Sequence, residues 1–286
     1  MKVPADIPVH QLPELDFLAS ANSAAFGEHI PSHRISFYAI IWFSENKGVH
    51  FIDFEPFPVQ KNMVYLLGRN QVHSIPADSL PLARVIVFSD IFFQRIEEAH
   101  LRQLFLPFYN DGITIPTAMA EPMTALFELI LQEYNGIADT AMLLKYTSVL
   151  LMHLYRFQDD NYRLSSGTED KRMTTLFQLL QEHYKEERDT DFYASRIGLT
   201  PKRINEILRE RMGTTISQLL YHLLLIEAKR ELFHQERSIK EIAYELGFSE
   251  QSYFARFFKK HTGVTPEQFR TQSATAFGIR RTPMFK

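Results

Sequence analysis

Residues 238–270, SIKEIAYELGFSEQSYFARFFKKHTGVTPEQFR, decide the fold of the second half of the chain. Ser238 precedes a helical run and Glu241 follows three residues later, which is the capping-box pattern of a helix start. The triplet Gly247-Phe248-Ser249 interrupts this run, and a second helix is predicted over 250–261. A short helix, a three-residue turn and another helix predict a helix-turn-helix, whose second helix can enter a DNA major groove.

The same pattern occurs about 50 residues earlier in the chain. Helices are predicted over 190–197 and 201–211, because Gly198-Leu199-Thr200 forms a turn and Pro201 suits a first helical position. A predicted helix over 216–233 separates the two units and would span roughly 27 Å at 1.5 Å per residue. Successive major grooves lie about 34 Å apart, so one chain could read two of them.

Residues 238–270 resemble the signature of the AraC/XylS family of transcription regulators. The matching positions are Ile242-Ala243, Gly247-Phe248, Tyr253-Phe254, Arg256-Phe257-Phe258-Lys259-Lys260, Gly263, Thr265-Pro266 and Phe269-Arg270. The resemblance implies an AraC-type DNA-binding domain over 171–272, followed by a C-terminal tail over 273–286. It also implies a sequence-specific regulator of transcription with double-stranded DNA and RNA polymerase as partners. Because members of this family are usually activators, the resemblance implies an activator.

Helical periodicity divides each recognition helix into a buried and an open face. Ile204, Ile207 and Leu208 are predicted to be buried in the first helix, and the aromatic cluster of Tyr253, Phe254, Phe257 and Phe258 in the second. Side chains that can bond base edges are predicted on the open faces: Lys202, Asn205, Glu206, Gln251, Ser252 and Arg256. Phosphate contacts are predicted for Arg203, Arg209, Lys259 and Lys260. The alternative is that both are only solvated helix faces.

Charge is unevenly distributed along the chain, whose formal net charge is −3. Residues 171–286 have a net charge of +6 and residues 1–170 one of −9. A basic second half on an acidic first half indicates a polyanionic partner for the second half alone.

The sequence pattern of the first half predicts a β-roll followed by helices. Short runs rich in Ile, Val, Phe and Tyr recur between turn signals, which is typical of a small barrel or double-sheet roll. The predicted fold class is therefore α+β in two domains. The domain over 1–158 contains a roll at about 30–116, resembling the family's cupin-like domain, and helices at about 118–157. A linker over 159–170 leads to the all-α double helix-turn-helix.

The role of the first domain is left open between sensing and assembly. A mostly apolar cavity would suit a small organic effector, with the predicted pocket formed by His33, Tyr38, Trp42, Phe51 and His73. Metal-binding cupins use a His-x-His pair, which the histidines here do not supply, so no metal or other cofactor is predicted. The rival interpretation is a cupin-type metalloenzyme fused to a helical interaction module; the regulator interpretation predicts no catalytic residues.

The helices within 118–157 are also candidates for a homodimer interface. The second of them places Met142, Tyr146, Val149, Leu150, Leu154 and Phe157 on an apolar stripe, which is either core or interface. The sequence has no apolar run of the roughly 18 to 20 residues that a membrane span needs. It contains no cysteine and no recognisable secretory signal, so a cytoplasmic location without membrane partners is expected.

Overall fold

The computed structural model describes residues 9–10, 16–23, 30–76, 80–108, 110–158 and 168–276. The chain divides into two compact units between Gly167 and Thr168. Residues 159–167 of the predicted linker and residues 277–286 of the predicted tail lie outside the described residues.

The described residues of the first unit include two five-stranded sheets. The first sheet has the order β1-β3-β8-β5-β6 and the second the order β10-β7-β4-β9-β2; β1 pairs with β3 in parallel and the other pairs are antiparallel. The strands are β1 (Val9–His10), β2 (Phe17–Ser20), β3 (Ile30–Ile35), β4 (Tyr38–Phe43), β5 (Val49–Ile52), β6 (Glu55–Pro58), β7 (Met63–Leu67), β8 (Val72–Ile75), β9 (Ala83–Phe88) and β10 (Ile113–Thr114).

The roll begins earlier in the chain than the predicted start at about residue 30. Strand β2 pairs with β9 along its whole length, and its Phe17 and Ala19 are buried. Proline-containing β6 can join the first sheet because it lies at the sheet edge, where a missing N–H is tolerated. The turn before it is a two-residue hairpin, in which Asp53 and Phe54 adopt positive φ angles of 48° and 74°.

The second sheet is covered on both faces. Its inner face packs on the first sheet through Ile41, Phe43, Tyr65 and Val85, together with Ile52 of the first sheet. Its outer face packs against the helices that follow the sheets. These helices are α1 (Asp90–Gln94), α2 (Ala99–Arg102), α3 (Ala120–Asn135) and α4 (Thr140–Gln158). The fold is therefore α+β, as predicted.

The second unit is helical throughout its described residues. Its helices are α5 (Thr168–His183), α6 (Thr190–Ile197), α7 (Pro201–Met212), α8 (Ile216–His234), α9 (Ile239–Glu245), α10 (Gln251–Thr262) and α11 (Pro266–Ala276). The Thr200 hydroxyl accepts a hydrogen bond from the N–H of Arg203 and starts α7, and Ser238 and Glu241 form the predicted capping box at α9. None of the described helices of either unit is long and apolar enough to cross a membrane.

Candidate functional site

Helices α6 and α7 form the first helix-turn-helix, and α7 carries the predicted recognition face. Ile204, Ile207 and Leu208 are buried as predicted, because three- and four-residue steps place them on one side of the helix. The opposite face exposes Lys202, Arg203, Glu206 and Arg209. Arg203 and Glu206 form an ion pair with 3.4 Å between Nη1 and Oε2. Glu206 is thus partly neutralised by its neighbour, which weakens the repulsion it would exert on DNA phosphates.

Asn205 has a different position from the one expected of a base-reading residue. It is half-buried, and its Oδ1 accepts a hydrogen bond of 3.0 Å from the backbone N–H of Ile216, the first residue of α8. A bidentate contact with adenine needs both the oxygen and the nitrogen of the amide. Because the oxygen is already engaged, Asn205 instead joins the first recognition helix to the start of α8.

We expect Asn205→Ala to lower the free energy of unfolding by about 1–3 kcal/mol, because the N–H of Ile216 loses its acceptor in a partly buried place. Asn205→Asp keeps an acceptor oxygen and should preserve most of that stability. Urea denaturation followed by circular dichroism compares the two variants. Equal stability of Asn205→Ala and the unmodified chain would contradict the assigned hydrogen bond.

Helices α9 and α10 form the second helix-turn-helix. Phe254 and Phe258 of α10 are fully buried, and Phe248 of the turn packs against them. The predicted contact residues are exposed on the other side of α10: Gln251, Ser252, Arg256, Lys259 and Lys260. The Ser252 hydroxyl donates to Oε2 of Glu250 at 2.9 Å. Glu250 therefore orients Ser252 at the start of the recognition helix.

Tyr253 does not belong to the aromatic core, contrary to the prediction. Its side chain is 49% exposed, because it lies about 100° around the helix from the buried Phe254. The guanidinium of Arg256 lies over its ring at 4.8 Å. Tyr253 therefore shares the open face of α10 with Arg256, a position that the one-residue offset from Phe254 could have indicated.

The five predicted effector-pocket residues lie on different faces of the two sheets. His33 and His73 lie between the two sheets, with ring centroids 4.3 Å apart. Trp42 lies on the outer face of the second sheet in the core beneath the helices, and Tyr38 packs against the same core. Phe51 follows the inward-facing His50 in β5, so its side chain lies on the opposite face of the first sheet. Because successive side chains of a strand point to opposite faces of its sheet, residues that are close in the sequence lie on different sides of the sheets.

A narrow crevice, with room for no more than about one water molecule, lies between the outer face of the second sheet and helices α3 and α4. The indole Nε1 of Trp42, one of the lining residues, is buried and has no hydrogen-bond partner among the described residues. The Arg84 guanidinium lies 4.6 Å over the Trp42 ring. The crevice is lined by Ile40, Trp42, Val64, Arg84, Ile86, Ile115, Met123, Phe127, Leu150 and Leu154.

Three histidines meet between the sheets. His50 Nε2 and His73 Nδ1 are 3.2 Å apart, and the ring of His73 also contacts that of His33. Burial, and to a smaller extent the neighbouring His33, lower the pKa of His50 to about 3. Among the described residues no group of three or more side chains has a geometry that could hold a metal ion.

We expect the first unit to lose stability as the pH falls below about 6.5. The unfolded chain then binds a proton at His50 that the folded chain does not bind until about pH 3, so the free energy of unfolding at about pH 5.5 should be about 1.4 kcal/mol below that at pH 7.5. Urea denaturation followed by the fluorescence of Trp42, the single tryptophan, measures it. His50→Gln should show a smaller pH dependence; an unchanged one would contradict this assignment.

Comparison with known proteins agrees with this arrangement. A family described as a helix-turn-helix domain matches residues 193–272. The HTH-type transcriptional activator RhaS of Escherichia coli O81 (strain ED1a) is 26% identical over 274 residues, which cover 91% of this chain and 96% of that protein. RhaS of Citrobacter koseri is 25% identical over 246 residues, covering 84% of this chain and 87% of that protein.

Two regulators are among the solved structures to which the chain is similar. ToxT from Vibrio cholerae O395 is 15% identical with a TM-score of 0.43, covering 90% of this chain and 97% of that one. A transcriptional regulator from Chromobacterium violaceum with an AraC-type DNA-binding domain is 25% identical with a TM-score of 0.35, covering 38% of this chain and 96% of that one.

Two helix-turn-helix units with polar recognition faces, in a region that matches a helix-turn-helix family, define a DNA-binding transcription regulator. The similarity to transcription activators extends over most of the chain and sets aside the rival interpretation as a metalloenzyme. Residues 193–272 match a helix-turn-helix domain family and most of the chain is similar to RhaS activators, in agreement with the resemblance of residues 238–270 to the AraC/XylS family.

Proposed function

We propose that the chain regulates transcription by placing α7 and α10 in two successive major grooves of one DNA duplex. The main support for this proposal is the pair of exposed polar recognition faces. Each face belongs to a helix-turn-helix that packs against α8. Helix α8 has 19 residues and therefore spans about 28 Å. This length is close to the roughly 34 Å between successive major grooves.

The proposed base-reading residues are those whose side chains are exposed on the open faces. They are Lys202 and Glu206 on α7, and Gln251, Ser252 and Arg256 on α10. Arg203, Arg209, Lys259 and Lys260 are proposed to contact phosphates, which position the protein without specifying sequence. Asn205 differs from these residues because its Oδ1 accepts a hydrogen bond from the N–H of Ile216, so its Nδ2 is the atom left for a base edge.

The test begins with selection of duplexes from a random library by the full chain. We expect a selected duplex to bind much more tightly than random duplex, with an affinity that falls steeply as salt rises, because neutralised phosphates release counterions. The salt dependence is measured by fluorescence anisotropy of labelled duplex. Failure to select any sequence, or binding that does not respond to salt, would contradict the proposal.

The proposed sign of regulation is activation, with RNA polymerase as a partner and the cytoplasm as the location. The support is the similarity of the chain to RhaS proteins, which are HTH-type transcriptional activators. A promoter carrying the selected duplex, fused to a reporter gene, should give more transcript when the chain is present. A lower transcript level would indicate a repressor instead.

The effector part of the proposal is a small organic ligand bound in the first unit. The support is the buried indole N–H of Trp42, which lacks an acceptor among the described residues. The crevice beside it must widen to admit a ligand. A ligand there would change the fluorescence of Trp42, so this signal identifies effectors directly. Of the five predicted pocket residues, Trp42 lines this crevice.

The proposed assembly is a homodimer formed through α3 and α4. Leu129, Met142 and Val149 are each more than two-fifths exposed, which leaves apolar area for a partner. Leu150 and Leu154 of the predicted stripe are buried inside the unit and belong to its core. The proposed domain boundaries remain 1–158 for a cupin-like domain, 159–170 for a linker, 171–272 for the DNA-binding domain and 273–286 for a tail.

A further inference from the structure

The segment between α5 and α6, residues 184–189, touches several parts of the DNA-binding unit; we call it the clamp loop. The Tyr193 hydroxyl of α6 donates a hydrogen bond of 2.7 Å to the backbone oxygen of Glu187. Lys185 Nζ lies 3.3 Å from Oε1 of Glu227 on α8, whose side chain is only 13% exposed. The clamp loop is thereby tied to the first helix-turn-helix and to α8.

The clamp loop also contacts the turn of the second helix-turn-helix. Nη2 of Arg188 donates a hydrogen bond of 2.6 Å to the backbone oxygen of Leu246, which ends α9. The same guanidinium lies 4.2 Å over the ring of Phe248. A cation suits the carbonyl end of a helix, and stacking on an aromatic ring holds its plane in place. Arg188 is therefore bound on two sides by the turn.

A matched residue shows what is special about Arg188. Arg196 also lies over a phenylalanine ring, that of Phe192 at 3.4 Å, and its Nη1 donates to the backbone oxygen of Phe192 at 3.1 Å. Both of these contacts stay within α6. The chemistry of the two arginines is the same, but only Arg188 connects residues 58 positions apart in the chain.

We infer that Arg188 is a positioning residue that fixes the angle between the two recognition helices and so sets the spacing of DNA sites that the chain accepts. This inference rests on the proposed reading of two successive grooves. A rigid connection between two binding units raises the effective concentration of the second unit at its site once the first is bound. A rigid connection also weakens binding to duplexes in which the spacing between the two sites is changed, because the two binding units cannot change their relative position.

The experiment measures the affinity of the full chain for the selected duplex and for duplexes with one or two base pairs inserted between the contacted segments. Each inserted pair rotates one segment by about a tenth of a turn. The unmodified chain should lose more than about tenfold in affinity when two pairs are inserted. Arg188→Met should bind the selected duplex about tenfold more weakly and lose only about threefold on insertion.

Two controls separate this effect from misfolding. Arg188→Met should keep its affinity for duplexes in which either contacted segment alone is preserved and the other is randomised. If it loses binding to the second segment alone, Arg188→Gln, which retains a donor for the Leu246 oxygen, replaces it in the same comparison. Arg196→Met should behave as the unmodified chain does on every duplex.

The outcomes distinguish this inference from the proposed function. An Arg188 variant that binds single segments normally and has the same insertion penalty as the unmodified chain would overturn the inference. If the unmodified chain itself shows no insertion penalty, the proposed reading of two grooves fails, and with it the basis of the inference.

Discussion

Arg256→Ala should weaken binding of the full chain to its selected duplex by about 1–3 kcal/mol while leaving its affinity for random duplex nearly unchanged. Arg256 is exposed on α10, and within the described residues its guanidinium has no carboxylate partner. Its contact with the Tyr253 ring holds it on the open face, where it is free to bond a guanine edge. Competition titrations with selected and random duplexes give the two affinities.

Lys259→Ala is the matched control for Arg256→Ala. Lys259 is exposed in the last turn of the same helix, and a phosphate contact carries no sequence information. Its removal should weaken selected and random duplexes alike and make the salt dependence less steep. If Arg256→Ala also reduces both affinities equally, Arg256 is a phosphate contact and the base-reading assignment is wrong.

Gly247→Ala should lower the free energy of unfolding of the DNA-binding unit by more than about 3 kcal/mol and abolish recognition by α10. Gly247 has a φ of +74°, and a Cβ at this position would overlap with the backbone oxygen of Lys185 in the clamp loop. Backbone atoms cannot move aside as the end of a flexible side chain can. Urea denaturation followed by circular dichroism at 222 nm measures the loss.

Gly198→Ala tests whether the clamp loop or the φ angle causes that loss. Gly198 occupies the corresponding turn of the first helix-turn-helix with a φ of +66°, but a Cβ there would meet nothing within 4 Å. Only the left-handed conformation is then penalised, at about 1–2 kcal/mol. Equal destabilisation by the two substitutions would show that the clamp loop does not constrain Gly247.

The helix-turn-helix units could be predicted closely because their signals are local. Thr200, Ser238 and the turn glycines fix where helices begin and end, and three- and four-residue steps identify the buried faces. The sheets of the first unit depend on pairing between distant strands, so the contribution of Phe17–Ser20 and the edge strand Glu55–Pro58 was not apparent from local pattern.

The details of individual sites that the sequence did not indicate depend on tertiary contacts, which a helical or strand pattern does not contain. The hydrogen bond from Ile216 to Asn205 joins residues eleven positions apart. The separation of Trp42 from His33 depends on which sheet face each occupies. Arg188 lies in a connection without periodicity, and no sequence signal indicated its contact with Leu246.

Methylation interference on the selected duplex tests most directly whether one chain reads two successive major grooves. Guanine N7 lies in the major groove, so its methylation blocks binding only where a recognition helix approaches. We predict two clusters of interference on one face of the duplex, about 10 base pairs apart, with Arg256→Ala weakening only the cluster at α10. A single cluster, or two clusters on opposite faces, would contradict the account.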